Sequence, residues 1–447
     1  MSKKVDLVEG DIKRSLTKMT IPMIWGMVAI MGFNLIDTFF VGMIGTLELS
    51  AMTFTFPVVI VIQSIALGMG VGLSAVISKV IGEKNREKAV RYATDGITLS
   101  VLIVIVAMII GLLTMNILFP LMGATEDIVP LIKEYMVIWY ISVPFVIIPM
   151  VGNSAIRATG DTKIPSLIMI ISVVANTILD PIFIFGFGFI PPMGLEGAAI
   201  ATALARFVTM VASLAILIFR DRLVSFKLPR FRSVLKSWKD ISYIGITASL
   251  AYFIVPISFA ILTKLISTYG KEAVAGFGVS SRIEMFSFTI IISLANVIGP
   301  FVGQNFGAKK IGRIISGIKS SSIFSILYGI FIFIIFFVFS DFIANIFTSD
   351  NEVAKIVSQY MKIVSIGYGL QGIVMIVSSA FSALQLPFRS GFLSLLRMVI
   401  LYIPLAYLGS YLFGLIGIFY AALLSNIISG VVSYLFVKNT MKKMSFV

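Results

Sequence analysis

Apolar residues in this chain gather in long blocks, and short polar breaks separate the blocks at fairly even intervals. Six blocks lie near 19–44, 50–80, 93–119, 130–152, 164–187 and 194–219; six more lie near 240–268, 275–304, 316–347, 355–382, 390–413 and 416–437. Each can supply the roughly 20 apolar residues that carry a helix across a bilayer. The pattern therefore predicts an all-α polytopic membrane protein of twelve transmembrane helices.

The polar breaks also set the orientation. With the amino terminus in the cytoplasm, the tail and the connections after even-numbered spans hold most of the 35 Lys and Arg. The opposite connections carry acids such as Glu126, Asp127, Asp341, Asp350 and Glu352. This positive-inside asymmetry places both termini in the cytoplasm. The first apolar block is too long for a secretory signal and lacks a small-residue cleavage site, so it reads as a retained span. The net charge of +14 then reflects topology and contact with the lipid bilayer, and no nucleic-acid partner is expected.

The longest such loop, Arg220 to Lys239 (RDRLVSFKLPRFRSVLKSWK), mixes basic with aromatic residues and reads as a cytoplasmic interfacial linker. It sits at the midpoint of the chain. A shift of 225 residues sets Gly45 on Gly270, Gly82 on Gly307, Lys84 on Lys309, and Ser154, Ala155 and Ala158 on Ser379, Ala380 and Ala383. Six spans per repeat give both halves one orientation, hence a parallel pseudo-two-fold repeat. The expected domains are an amino-terminal six-helix lobe with a cation site (1–219), the linker (220–239) and a carboxy-terminal six-helix lobe (240–447).

Composition removes several chemistries. The chain has no Cys and no His, which excludes disulfides, thiol nucleophiles, imidazole switches and the usual zinc sites. No phosphate-binding glycine loop occurs, so neither ATP nor enzyme chemistry is expected. Ion chemistry must rest on carboxylates, and only Asp37, Asp180 and Glu284 fall well inside apolar spans. An ionisable group in hydrocarbon costs roughly 2.5–3.5 kcal/mol on insertion scales, which makes each a functional candidate.

Counting residues from the outer ends of spans 1, 5 and 6 puts Asp37, Asp180 and Thr202 at a common depth of about 10–12 Å. Asn176 stands one turn before Asp180 on the same helical face. These oxygens suit a hard cation such as Na+, while two close carboxylates equally suit a shared H+. The repeat partner of Asp37 is Leu262, which confines the expected site to the first half. Arg206, one turn from Thr202, could reach Asp180 as a tethered countercation. Arg282 and Glu284 lie on different faces of one helix and read as structural charge partners or as cavity lining. Pro22 reads equally as a hinge in helix 1 or as a proline tolerated in a first turn.

At IPMIWG, FNLIDTFFVGMIG, EYMVIWY, VGNSAIRATGD, NTILDPIFIFGFG and GLEGAAIAT the sequence resembles the multidrug and toxic compound extrusion (MATE) family. The likeness runs over nearly the whole chain and is strongest to the prokaryotic DinF-like branch, named for DNA-damage-inducible protein F. The resemblance implies two six-helix lobes forming a V and a cation site at Asp37, Asn176, Asp180 and Thr202. It implies substrate-cavity residues at Asn34, Tyr135 and Asn153, and a bend in helix 1 at Pro22. The implied activity is export of organic, often cationic, compounds by Na+ or H+ antiport across the inner membrane, with no cofactor and a monomeric protein. A lipid-linked oligosaccharide flippase of the same superfamily is the alternative. Arg206 departs from the family pattern, where an apolar residue is expected.

Overall fold

The computed structural model describes residues 4–124, 126–227 and 230–444, and the side chains of residues 34, 35, 37, 38, 46, 47, 49 and 50 lie outside the described residues. The helices in chain order are α1 (Ile12–Gly42), α2 (Thr46–Gly82), α3 (Arg86–Leu121), α4 (Val129–Ala158), α5 (Lys163–Phe185), α6 (Gly194–Ala215) and α7 (Phe231–Ile266). There follow α8 (Lys271–Gly307), α9 (Ile311–Phe347), α10 (Asn351–Val364), α11 (Tyr368–Ala383), α12 (Pro387–Leu395) and α13 (Ile403–Met444). A single 3-10 turn joins α10 to α11, and the π-helical turn Leu396–Tyr402 joins α12 to α13. Gly414 adopts φ 63° and interrupts α13, so the apolar stretch Pro387–Met444 contains two spans. Among the described residues the chain is thus an all-α membrane protein of twelve spans.

Several boundaries differ from the hydropathy reading for local reasons. α1 begins at Ile12, ahead of its apolar block, because the Asp11 carboxylate accepts a hydrogen bond from the Arg14 amide and caps the helix. Pro22 consequently lies in the helix interior, where its ring nitrogen cannot donate to the Lys18 carbonyl. A first-turn role for Pro22 is thereby removed. The stretch 220–239 is not one separate helix. Arg220 closes a π-helical turn that continues α6, Asp221 and Leu223 are buried, and Phe231 onward forms the opening turns of α7.

The chain divides into two compact units, one of residues 1–5 with 21–249 and the other of residues 6–20 with 250–447. The later boundary falls inside α7 because that helix's first turns belong to the first unit. Trp238 Nε1 donates to the Asp95 carbonyl at 3.0 Å, and Tyr92 Oη donates to Asp240 at 2.6 Å.

Each unit has its own apolar core. In the first unit α2, α3, α4 and α6 pack around Leu73, Tyr140 and Ile156, with α5 against α6. In the second, α8, α9, α10, α11 and α13 pack around Phe277, Val357 and Phe419. The duplication extends to the backbone: α2 and α8 are both 37 residues long and start 225 residues apart. Each ends on a left-handed lysine, Lys84 and Lys309, both at φ 58°. In each turn the following amide bonds back five residues, Asn85 to Val80 and Lys310 to Asn305, which satisfies a helix-end carbonyl.

In the second unit the amino-terminal segment docks on that turn. Asn305 Nδ2 donates to the Leu7 carbonyl at 2.9 Å, Arg313 donates to the Gly10 carbonyl at 2.5 Å, and Lys310 pairs with Glu9 at 2.6 Å. Leu7 is fully buried beneath these contacts.

Candidate functional site

Asn176 and Asp180 occupy one face of α5, and neither exposes any surface. The Asn176 Nδ2 group donates to Asp180 Oδ1 at 2.8 Å and to Thr202 Oγ1 on α6 at 3.4 Å. Thr202 is likewise buried. Pro181 follows Asp180 and cannot donate to the Thr177 carbonyl, which weakens the ladder of α5 at this level. Gly197 makes the approach of α6 possible: a Cβ there would stand 2.2 Å from the Phe183 carbonyl oxygen. Close backbone packing of α5 and α6 is therefore what places Thr202 beside Asn176.

The structure brings three of the four expected cation-site residues together. The fourth, Asp37, belongs to α1, and its side chain lies outside the described residues, as does that of Asn34. Arg206, one turn along α6 from Thr202, carries its guanidinium 5.5 Å from the centroid of the Phe33 ring, within cation–π range.

Tyr135 and Asn153 are buried on α4. Eighteen residues separate them, about 27 Å along the axis, so they do not share one small pocket. Ser213 Oγ donates to Asn153 Oδ1 at 3.4 Å. Ser213 lies eleven residues beyond Thr202, about 16 Å along α6, which sets Asn153 apart from the Asn176–Asp180–Thr202 group.

A second polar cluster lies in the second unit. Glu284 on α8 accepts from Tyr360 Oη at 2.5 Å and from Gln371 Nε2 at 3.5 Å, while Arg282 is exposed. Its partners thus come from α10 and α11. Tyr360 is held edge-on by Phe277 and Phe419, with centroids 6.1 and 5.1 Å away. Sequence reasoning missed these partners because tyrosine and glutamine inside apolar spans carry no charge signal. It also passed over Arg397, although a lone arginine within SLLRMVILY is such a signal.

Comparison with known proteins agrees with this architecture. The MatE family profile matches twice, over residues 22–182 and 248–408. The chain is 34% identical over 437 residues to a FAD transporter of Shewanella oneidensis, covering 97% of this chain and 96% of that protein. It is 24% identical over 430 residues to the multidrug export protein MepA of Staphylococcus aureus, covering 96% and 94%. Among solved structures, the Vibrio cholerae MATE transporter VcmN in its bent form superimposes with a TM-score of 0.93 at 30% identity, covering 97% of this chain and 98% of that one. A MOP superfamily transporter from Pyrococcus furiosus gives 0.91 at 26% identity, covering 100% and 99%.

Proposed function

The chain belongs to the MatE family of membrane transporters, and from that premise we propose that it exports small organic compounds in exchange for inward-moving Na+ or H+. The observation that carries this reading is the Asp180 carboxylate, fully buried in an apolar span and grouped with Asn176 and Thr202. An ionised carboxylate at such a place is costly, and neutralising it relieves the cost. Occupancy of the site therefore changes how α5 and α6 sit against neighbouring helices.

The residues fit a hard monovalent cation. Asp180 offers a carboxylate and Thr202 a hydroxyl, and Asn176 Oδ1 is a buried oxygen without a hydrogen-bond partner among the described residues. Turning the Asn176 amide over would present that oxygen to the site in place of its N–H. Na+, when bound, supplies the charge that neutralises the carboxylate. A proton on Asp180 achieves the same, with Asn176 still donating to the remaining acceptor oxygen. Asp37 on α1 supplies the second carboxylate of the proposed pair, and Pro22 gives α1 a weak point at which to bend. Asn34, Tyr135 and Asn153 are the proposed contacts for the exported compound, at different depths.

Multidrug export by the Staphylococcus aureus relative supports amphipathic organic compounds as cargo. The Shewanella oneidensis relative adds FAD to the candidates. The protein is proposed to act as a monomer in the inner membrane, with both termini cytoplasmic and the ion gradient in place of ATP.

The test is ethidium efflux from proteoliposomes under an imposed Na+ or pH gradient. Efflux that follows one gradient and disappears in Asp180→Asn is the expected result. Efflux that ignores both gradients overturns the reading.

A further inference from the structure

Arg397 lies in an apolar span, in the π-helical turn Leu396–Tyr402 of the second unit. π turns inside helices often mark functional positions. Its guanidinium makes one hydrogen bond among the described residues, Nη1 to Asn426 Oδ1 at 3.4 Å. Among the described residues it forms no ion pair. A guanidinium carries five N–H donors, so most of this one's capacity is unused at a depth where a charge is expensive. Glu284 makes no ion pair with it among the described residues, and its two oxygens accept from Tyr360 and Gln371.

Two further donors belong to the buried core of the same unit. The Tyr368 and Tyr402 hydroxyls are buried and lack hydrogen-bond partners among the described residues, and Tyr402 belongs to the same π turn as Arg397. Tyr368 is fixed by Phe288, with ring centroids 4.8 Å apart. Glu284 and Arg397 both retain partial exposure. A buried hydroxyl left without a partner is costly, and Tyr402 shares its turn with the Arg397 guanidinium.

We propose that Arg397, Tyr368 and Tyr402 form a recognition site for the phosphate ester of a compound this transporter carries. One guanidinium and two hydroxyls provide three donor groups, which matches the three terminal oxygens of a phosphate monoester better than the two of a carboxylate. The inference rests on the transport reading above, but it concerns recognition of cargo and not ion coupling.

The experiment measures binding of riboflavin and of riboflavin 5′-phosphate, which differ by the phosphate alone, to the purified full chain in detergent. The wild type is expected to prefer the phosphate by about tenfold, as charge-assisted hydrogen bonds allow. Arg397→Gln should erase the preference, and Tyr402→Phe should reduce it about threefold. Where Arg397→Gln does not fold, Arg397→Lys keeps the charge without the planar fork and should still shrink the preference. Equal affinity for the two flavins in the wild type, or a preference that persists in the folded Arg397 variant, overturns the proposal. Gradient-driven ethidium efflux by the wild type is scored separately, so failure of the transport reading is distinguishable from failure of this one.

Discussion

Gly197 of α6 and Phe183 of α5 approach so closely that a Cβ on Gly197 would stand 2.2 Å from the Phe183 carbonyl oxygen. A backbone oxygen cannot swing aside as a long side chain can. Gly197→Ala should therefore push α6 outward, separate Thr202 from Asn176 and destabilise the protein by about 1–3 kcal/mol, the usual cost of overpacking. Thermal unfolding in detergent checks this, with Gly32→Ala as the control, because a Cβ there meets open space. Equal melting temperatures for the two variants would refute the close approach.

Asp180→Asn keeps the shape of the side chain and removes its charge. Expression and melting temperature should stay near wild type, while gradient-driven ethidium efflux falls by at least about tenfold, consistent with loss of an intramembrane functional charge. Wild-type efflux rates in this variant would remove Asp180 from the coupling step.

The two bonds made by Asn176 differ in length, 2.8 Å to Asp180 and 3.4 Å to Thr202. Hydrogen bonds to charged groups contribute about 1.5–3 kcal/mol and neutral ones less. Asn176→Ala should thus weaken the dependence on the coupling ion by about tenfold, and Thr202→Val by only about threefold. Initial efflux rates titrated against Na+ or pH give the order, and a larger effect from Thr202 would invert the assignment.

Asp6 precedes α1 and accepts from the amides of Glu9 and Val8, both at 2.9 Å. The bond from the Glu9 amide is the main cause that holds its carboxyl below the ordinary value of 3.8, with smaller help from the Val8 amide, Arg313 and Lys310. A depressed pKa contributes stability fully above 3.8 and loses it as pH falls through the lower folded value. The amino-terminal segment should therefore stay docked at neutral pH and loosen only below about pH 4. The chain contains no cysteine, so a nitroxide on Val8→Cys labels one position cleanly. Its mobility should rise in that acid window, and Asp6→Asn should raise it already at pH 7.

The span count, the duplication and the Asn176–Asp180 pairing were legible because each depends on periodicity along the chain. Thr202 was reachable by counting depth from a helix end. The role of Gly197 was not, since it depends on which carbonyl of another helix lies opposite. The start of α1 was obscured by Lys13, Arg14 and Lys18, whose charges hide a helical turn from a hydropathy reading. That concealment left the setting of Pro22 open. The buried phenolic groups of the second unit stayed hidden for a different reason: a tyrosine counts as apolar along the chain, and its hydroxyl matters only once its neighbours are known.

Lys84 and Lys309 hold the same left-handed conformation 225 residues apart, in a region that costs a side-chain-bearing residue about 1–3 kcal/mol. Glycine would relieve that cost at either place, yet both carry lysine and the same five-residue return bond. The internal repeat therefore reaches down to the conformation of single residues and not only to the spacing of apolar blocks.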